Sequence, residues 1–152
     1  MKRNPAILER ETVIAAPRRT VFEFFSDPRN LARITPRALG FEIVDAPDRR
    51  LREGDRIRYR IRLLGISLPW VSRITEWREN TGFVDEQERG PYKRWRHEHT
   101  LFASNRGVLM RDRVEYELPF GALGRVVAGW WVRRNLERIF DFRARAIGEI
   151  FG

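Results

Sequence analysis

Residues 56–63 read Arg-Ile-Arg-Tyr-Arg-Ile-Arg-Leu, a strict alternation of cation and apolar side chain. Successive strand side chains point to opposite faces, so this pattern predicts a strand. Ile57, Tyr59, Ile61 and Leu63 lie on its buried face, with Arg56, Arg58, Arg60 and Arg62 in water. The same period of two recurs at residues 94–102, Arg-Trp-Arg-His-Glu-His-Thr-Leu-Phe. There Trp95, His97, His99 and Leu101 share one face, and Arg94, Arg96, Glu98 and Thr100 share the other. Further strands are expected over Ile7–Ala15, Phe41–Asp45, Ser67–Glu76 (interrupted early by Pro69), Gly82–Glu88 and Val108–Leu118. Gly65, Gly90-Pro91 and Ser104-Asn105-Arg106-Gly107 mark turns, the last a strong hairpin loop.

Elsewhere the period changes. Pro17 suits the first turn of a helix whose apolar side is Val21, Phe22, Phe24 and Phe25. Asp27-Pro28 breaks it, because a residue before proline is pushed out of the helical region. A second short helix over Arg29–Ile34 ends before Pro36. From Leu123 to Ile150 alternation disappears, and Val132, Leu136, Ile139, Phe140, Ala146, Ile147 and Ile150 fall near helical spacing. At ~1.5 Å per residue such a helix is about 40 Å long, enough to cross a whole sheet. The order is therefore one strand, two short helices, six strands and a long C-terminal helix. That is an α+β arrangement in which the long helix covers the apolar face of a curved antiparallel sheet of about seven strands. A strongly bent sheet around one helix encloses space.

At 152 residues, without repeat, linker or low-complexity run, residues 1–152 read as a single domain. There is no cysteine, which excludes disulfides, thiol catalysis and thiolate metal sites. No secretory h-region and no membrane-spanning run is present, so the chain reads as cytoplasmic. The net charge is +9, nearly all from arginine, since only Lys2 and Lys93 are lysines. Such a surface favours polyanions or anionic membranes.

The two histidines carry the candidate chemistry. If the Ser104–Gly107 loop sets Ala103 opposite Val108, His99 faces Asp112, His97 faces Val114 and Trp95 faces Tyr116. A His99–Asp112 pair would fix a tautomer and favour the imidazolium, acting as a proton-transfer dyad, a ligand anchor or a mutually satisfied buried pair. His97 and His99 also have the same-face spacing that zinc sites use. A catalytic zinc needs a third ligand from Asp112 or Asp85, and nothing in the sequence shows that these converge, so no metal is assigned. Asp85 shares the face of Phe83 beside the histidine strand, where it serves as acid or base or as partner to Arg73 or Arg56. Arg56 to Arg62, with Arg94, Arg96, Arg111 and Arg113, form a basic outer face suited to phosphates. Glu76, Glu98, Glu115 and Glu117 stand near enough to pair with them. Trp130 and Trp131 point about 100° apart, so one of them belongs to the cavity mouth, the core rim or a dimer contact.

Ala16-Pro17, Val21-Phe22 and Asp27-Pro28-Arg29-Asn30-Leu31 are motifs with a resemblance, as are Arg73-Ile74-Thr75-Glu76-Trp77 and Phe83-Val84-Asp85-Glu86. So are Gly90-Pro91-Tyr92 with Trp95-Arg96-His97, Asp112-Arg113-Val114-Glu115-Tyr116 and Leu118-Pro119-Phe120-Gly121. Over nearly its whole length the chain resembles the START-like (SRPBCC, helix-grip) superfamily, which includes polyketide cyclases/dehydratases and coenzyme Q-binding proteins. The resemblance implies a helix-grip fold and a cavity for a small hydrophobic, amphipathic or aromatic ligand, with no cofactor. The expected apolar wall is Tyr59, Ile61, Trp70, Ile74, Phe83, Trp95, Leu101, Met110, Val114, Ile139 and Phe140. The expected polar anchors are His97, His99, Asp112, Tyr116 and Asp85. Two alternatives stand beside this binding function. One is a cofactor-free cyclase/dehydratase using His99 and Asp112 as an acid–base pair. The other is an RNA- or ribosome-binding module using the basic sheet face.

Overall fold

The computed structural model describes residues 4–152. β1 (Ala6–Ile14) leads into α1 (Arg18–Ser26), then into two short 3-10 turns at Pro28–Ile34 and Arg37–Leu39. Next come β2 (Glu42–Asp45), β3 (Arg56–Leu63), β4 (Ile66–Arg78), β5 (Gly82–Arg89), β6 (Arg94–Ser104) and β7 (Gly107–Glu117). The chain closes with α2 (Gly121–Phe151). The strands form one antiparallel sheet in the order β1-β7-β6-β5-β4-β3-β2. This is the START-like, helix-grip architecture: a curved sheet, a long C-terminal helix and short helices after the first strand.

Local chemistry explains the breaks. The Asp27 side chain accepts a hydrogen bond from the Arg29 amide at 3.0 Å and so caps the turn that Pro28 opens. Pro69 was expected to interrupt β4, yet the strand runs through it, with Pro69 paired opposite Arg60. The pairing of β4 with β5 stops at Val71, so on that side the proline occupies a free edge and its missing N–H costs no ladder bond. α2 begins at Gly121 rather than Leu123, directly after Phe120 turns the backbone to φ 64°.

Bending comes from β4. Its register against β5 shifts between Val71 and Ser72 and again between Ile74 and Glu76. Bulges of this kind bend a strand and raise its twist. The inner face then meets α2 unevenly. Along β1, β7 and the Leu101 end of β6 the fit is tight: Val108, Met110 and Val114 are fully buried. Met110 and Leu101 pack with Ile14, Val21, Phe22, Ala146 and Ile147 in one cluster. Val114 and Tyr116 pack with Leu8, Leu136 and Phe140 in another. Over β3, β4, β5 and the Trp95–His99 part of β6 a space remains between the sheet and α2.

Candidate functional site

The space between sheet and α2 is a cavity of about 810 Å³. From the expected wall it takes Tyr59, Ile61, Trp70, Ile74, Phe83, Trp95, Ile139 and Phe140, together with Asp85, His97 and His99. Five expected residues do not line it. Leu101, Met110 and Val114 point inward as their strand positions require, but α1 and α2 rest directly on them, so they are core. Tyr116 borders a separate hollow of about 220 Å³ beside Asn4, Pro5 and Arg125. Asp112 is 3% exposed and lies behind the histidines as seen from the cavity.

An aromatic group lines one end. Tyr59 stacks on Trp70 with centroids 5.7 Å apart, and Trp95 meets Trp70 edge-on at 5.3 Å. The Trp70 indole N–H donates to Ser72 Oγ at 3.0 Å, which satisfies a buried donor. Burial drives the Tyr59 phenol well above its ordinary pKa, against the opposing pull of its hydrogen bond with Ser72. The cavity therefore offers that hydroxyl only in its neutral form.

The other end is polar. The strand register places His97 opposite Val114 and Asp85, and His99 opposite Asp112 and Phe83. The expected β6–β7 pairing is thus met residue by residue, but the bonds run diagonally. His97 Nε2 lies 2.8 Å from Asp112 Oδ1, and His99 Nε2 lies 3.0 Å from Asp85 Oδ2. His99 Nδ1 is only 3.1 Å from Asp112 Oδ1, yet the angle is too poor for a hydrogen bond and this nitrogen has no partner. His97 Nδ1 stands 3.9 Å from Asp85 Oδ2. The two rings lie 3.8 Å apart, and Phe83 stacks on His99 at 4.3 Å. Each imidazole thus turns one nitrogen to Asp112 and the other to Asp85.

Burial alone would raise both carboxyls, but the imidazole contacts outweigh it and hold Asp85 and Asp112 below their ordinary values. His97 is pushed down, first by burial and then by the neighbouring His99. Burial pulls His99 down too, but Asp112 and Asp85 together carry it above the usual imidazole value. Of the two rings, His99 is therefore the one whose surroundings favour the imidazolium. The expected arginine partners of Asp85 lie elsewhere: Arg56 bonds Glu88 at 2.7 Å, and Arg73 lies 3.9 Å from the same residue.

Two features escaped the sequence reading. Arg143 on α2 lines the cavity with its guanidinium 5.1 Å from the Phe140 ring, and its buried Nε has no partner. A charge three residues after Phe140 and four before Ile147, within the buried stripe, was the available signal. Tyr92 also joins the aromatic wall, 4.8 Å from Trp95. Of the two tryptophans, Trp131 lines the cavity, while Trp130 is 72% exposed beneath Arg134. On the outer face, Arg111 pairs with Glu11, Arg113 with Glu9 and Arg96 with Glu98, whereas Arg58, Arg60 and Arg62 remain exposed.

The family described as polyketide cyclase / dehydrase and lipid transport matches residues 14–140. The chain belongs to this family. Its fold is shared with solved structures at low identity. The protein TTHA0849 from Thermus thermophilus is 20% identical with a TM-score of 0.70, covering 97% of this chain and 100% of its own. The Zhui aromatase/cyclase from Streptomyces sp. R1128 is 20% identical with a TM-score of 0.71, covering 95% and 92%. Ginseng major latex-like protein 151 from Panax ginseng is 13% identical with a TM-score of 0.72, covering 99% of each chain. No curated protein matches the chain in sequence. No helix among the described residues is long and apolar enough to cross a membrane.

Proposed function

We propose that the chain binds a small hydrophobic or amphipathic molecule, noncovalently, between its sheet and α2. One observation carries this reading: an aromatic-walled cavity of about 810 Å³ ends in a buried histidine–carboxylate cluster. Ligand sites are mostly apolar with a few polar groups that fix orientation, and this cavity has that division between its two ends. The family to which the chain belongs includes lipid transport in its description, which supports the same class of ligand. Native mass spectrometry of freshly purified protein, with extraction of any co-purifying molecule, tests it. An adduct of a few hundred daltons, or a thermal shift with members of a lipid and aromatic library, is the expected result. A clean apo mass with no shift across that library overturns it.

A second reading follows from His99 facing the cavity. An acid–base pair could act on a bound polyketide-like or aromatic substrate, as in a cyclase or dehydratase. Asp112 was the expected partner of His99 in that role. Asp85 suits it better, because Asp85 lines the cavity and accepts the hydrogen bond from His99 Nε2. His99→Gln that retains ligand binding and loses turnover supports this reading. Equal turnover in the variant removes it.

A further inference from the structure

Asp85, His97 and His99 bring one potential ligand atom each to within 4.8 Å of the other two. All three line the cavity. Sequence alone does not show these side chains converging, and the fold supplies that convergence. The nitrogens that turn to Asp85 are His97 Nδ1, at 3.9 Å, and His99 Nε2, at 3.0 Å. Metal–ligand bonds of about 2.0–2.1 Å place donors about 3 Å apart around one ion, so the set is completed when His97 closes on Asp85 and the two rings turn their nitrogens toward a common point. The opposite nitrogens, His97 Nε2 and His99 Nδ1, both turn to one oxygen of Asp112, at 2.8 and 3.1 Å. A carboxylate behind ligating histidines is the usual outer partner of a metal site, where it fixes the tautomer and the ring orientation.

Charge favours an ion as well. The buried Asp112 and the half-buried Asp85 face two imidazoles whose rings lie 3.8 Å apart. The Arg143 guanidinium lines the same cavity and offsets part of this negative charge, and two imidazolium charges side by side would repel. A divalent cation with two neutral imidazoles would offset the two carboxylates without that repulsion. It also leaves the proton of a ligating His99 on the buried, unpartnered Nδ1, 3.1 Å from Asp112 Oδ1, where a rotation of the ring would bring it into hydrogen-bond alignment.

We infer that Asp85, His97 and His99 form a site for a single divalent transition-metal ion, with open coordination positions facing the cavity. Two histidines and one carboxylate with open positions suit zinc or non-haem iron(II). An ion there would polarise a ligand oxygen at the polar end of the cavity. The site goes beyond the binding function proposed above and does not depend on what fills the apolar end. It competes with the acid–base reading, because a ligating nitrogen cannot carry a proton.

The chain has two histidines and no cysteine, so imidazole ligation in tag-free protein reports on this site alone. The experiment strips the protein with EDTA and titrates it with zinc(II) and, anaerobically, with cobalt(II) and iron(II). Uptake is read by elemental analysis, cobalt by visible absorption, and the rings by nitrogen-15 NMR. We expect one equivalent per chain, with zinc shifting His97 Nδ1 and His99 Nε2. Asp85→Asn and His99→Gln should abolish the cobalt spectrum. Asp112→Asn should keep the stoichiometry and weaken affinity about 10–100-fold. Wild-type protein that takes up no stoichiometric metal overturns the inference. So do unmoved ring nitrogens on zinc addition, or variants that bind as wild type does. The ring-nitrogen readout needs no variant, so a misfolded mutant leaves the test intact. A hydrophobic fluorescent probe titrated into the stripped and loaded samples keeps ligand binding separate: either property can fail while the other stands.

Discussion

Asp112 stands directly opposite His99 across β6 and β7, yet its 2.8 Å hydrogen bond goes to His97, two residues along the strand. His99 in turn reaches diagonally to Asp85 on the other side, at 3.0 Å. Three adjacent strands are thereby tied through side chains as well as through their backbone ladder. The cluster couples the polar end of the cavity to the tightly packed half of the sheet.

Removing Asp112 should therefore cost stability as well as reshape the site. It is 3% exposed, and its loss leaves the buried His97 Nε2 without its hydrogen-bond partner and removes one of the two carboxylates beside His99. Breaking a buried ion pair from one side costs about 3–5 kcal/mol. Asp112→Ala is expected to lose stability of that order in urea unfolding of the metal-free protein. Asp112→Asn, which keeps the shape and one acceptor, should lose clearly less. Equal stability of Asp112→Ala and wild type would show that the cluster contributes nothing to folding.

Gly82 begins β5 opposite Thr100, and a Cβ there would overlap the backbone carbonyl oxygen of His99. Backbone cannot swing aside as a long side chain can, so Gly82→Ala must push β5 away from β6 just where Asp85 reaches His99. Overpacking of this kind costs about 1–3 kcal/mol. Gly54→Ala is the control: its position also has a positive φ, but nothing stands within 4 Å of the added methyl. Thermal unfolding should rank Gly82→Ala below Gly54→Ala, and only the former should change the ring-nitrogen NMR signals of His99.

Alternation made the sheet legible: the four arginines of β3 and the Trp95–His97–His99 face lie as their period requires. The register of β6 on β7 was also legible, because the Ser104–Gly107 loop is short enough to fix it. What the sequence did not contain is where the helix touches the sheet. Met110 and Ile74 are equally apolar and equally inward, yet one lies beneath a helix and the other beside a void. The register shifts in β4, one of them beside Ile74, belong to its pairing with β5 and are not marked by any residue pattern. Diagonal bonding in the histidine cluster was hidden for the same reason, since strand register fixes Cα partners and leaves side-chain direction open.

Acid should weaken the protein through Asp55 independently of the cluster. Its carboxylate accepts from Arg49 at 2.7 Å and from the Arg52 amide at 2.8 Å, and its side chain is 15% exposed. The Arg49 hydrogen bond holds the Asp55 carboxyl below its ordinary value against the opposing effect of burial. A carboxyl with a lower pKa in the folded state stabilises above its unfolded value near 3.9, and that stability fades as pH falls through the folded value. Asp55→Asn should therefore lower stability near neutrality, where the paired carboxylate contributes in full, and flatten the acid limb of stability against pH. An unchanged slope between about pH 5 and 2 would rule out this contribution.

Filling the void is the sharpest test of where ligand sits. Ile139 lines the cavity from α2 and is only half-buried, so a larger ring has room to enter the space. Ile139→Trp should weaken a hydrophobic fluorescent probe by about tenfold or more, the loss of roughly 1.4 kcal/mol of binding free energy, with an unchanged or raised melting temperature. Val114→Trp supplies the contrast. Val114 has no exposure and packs among Leu8, Tyr116 and Leu136, so the same ring must displace core and cost about 1–3 kcal/mol of stability. If both variants lose stability and neither changes probe affinity, the probe binds outside the space between the sheet and α2.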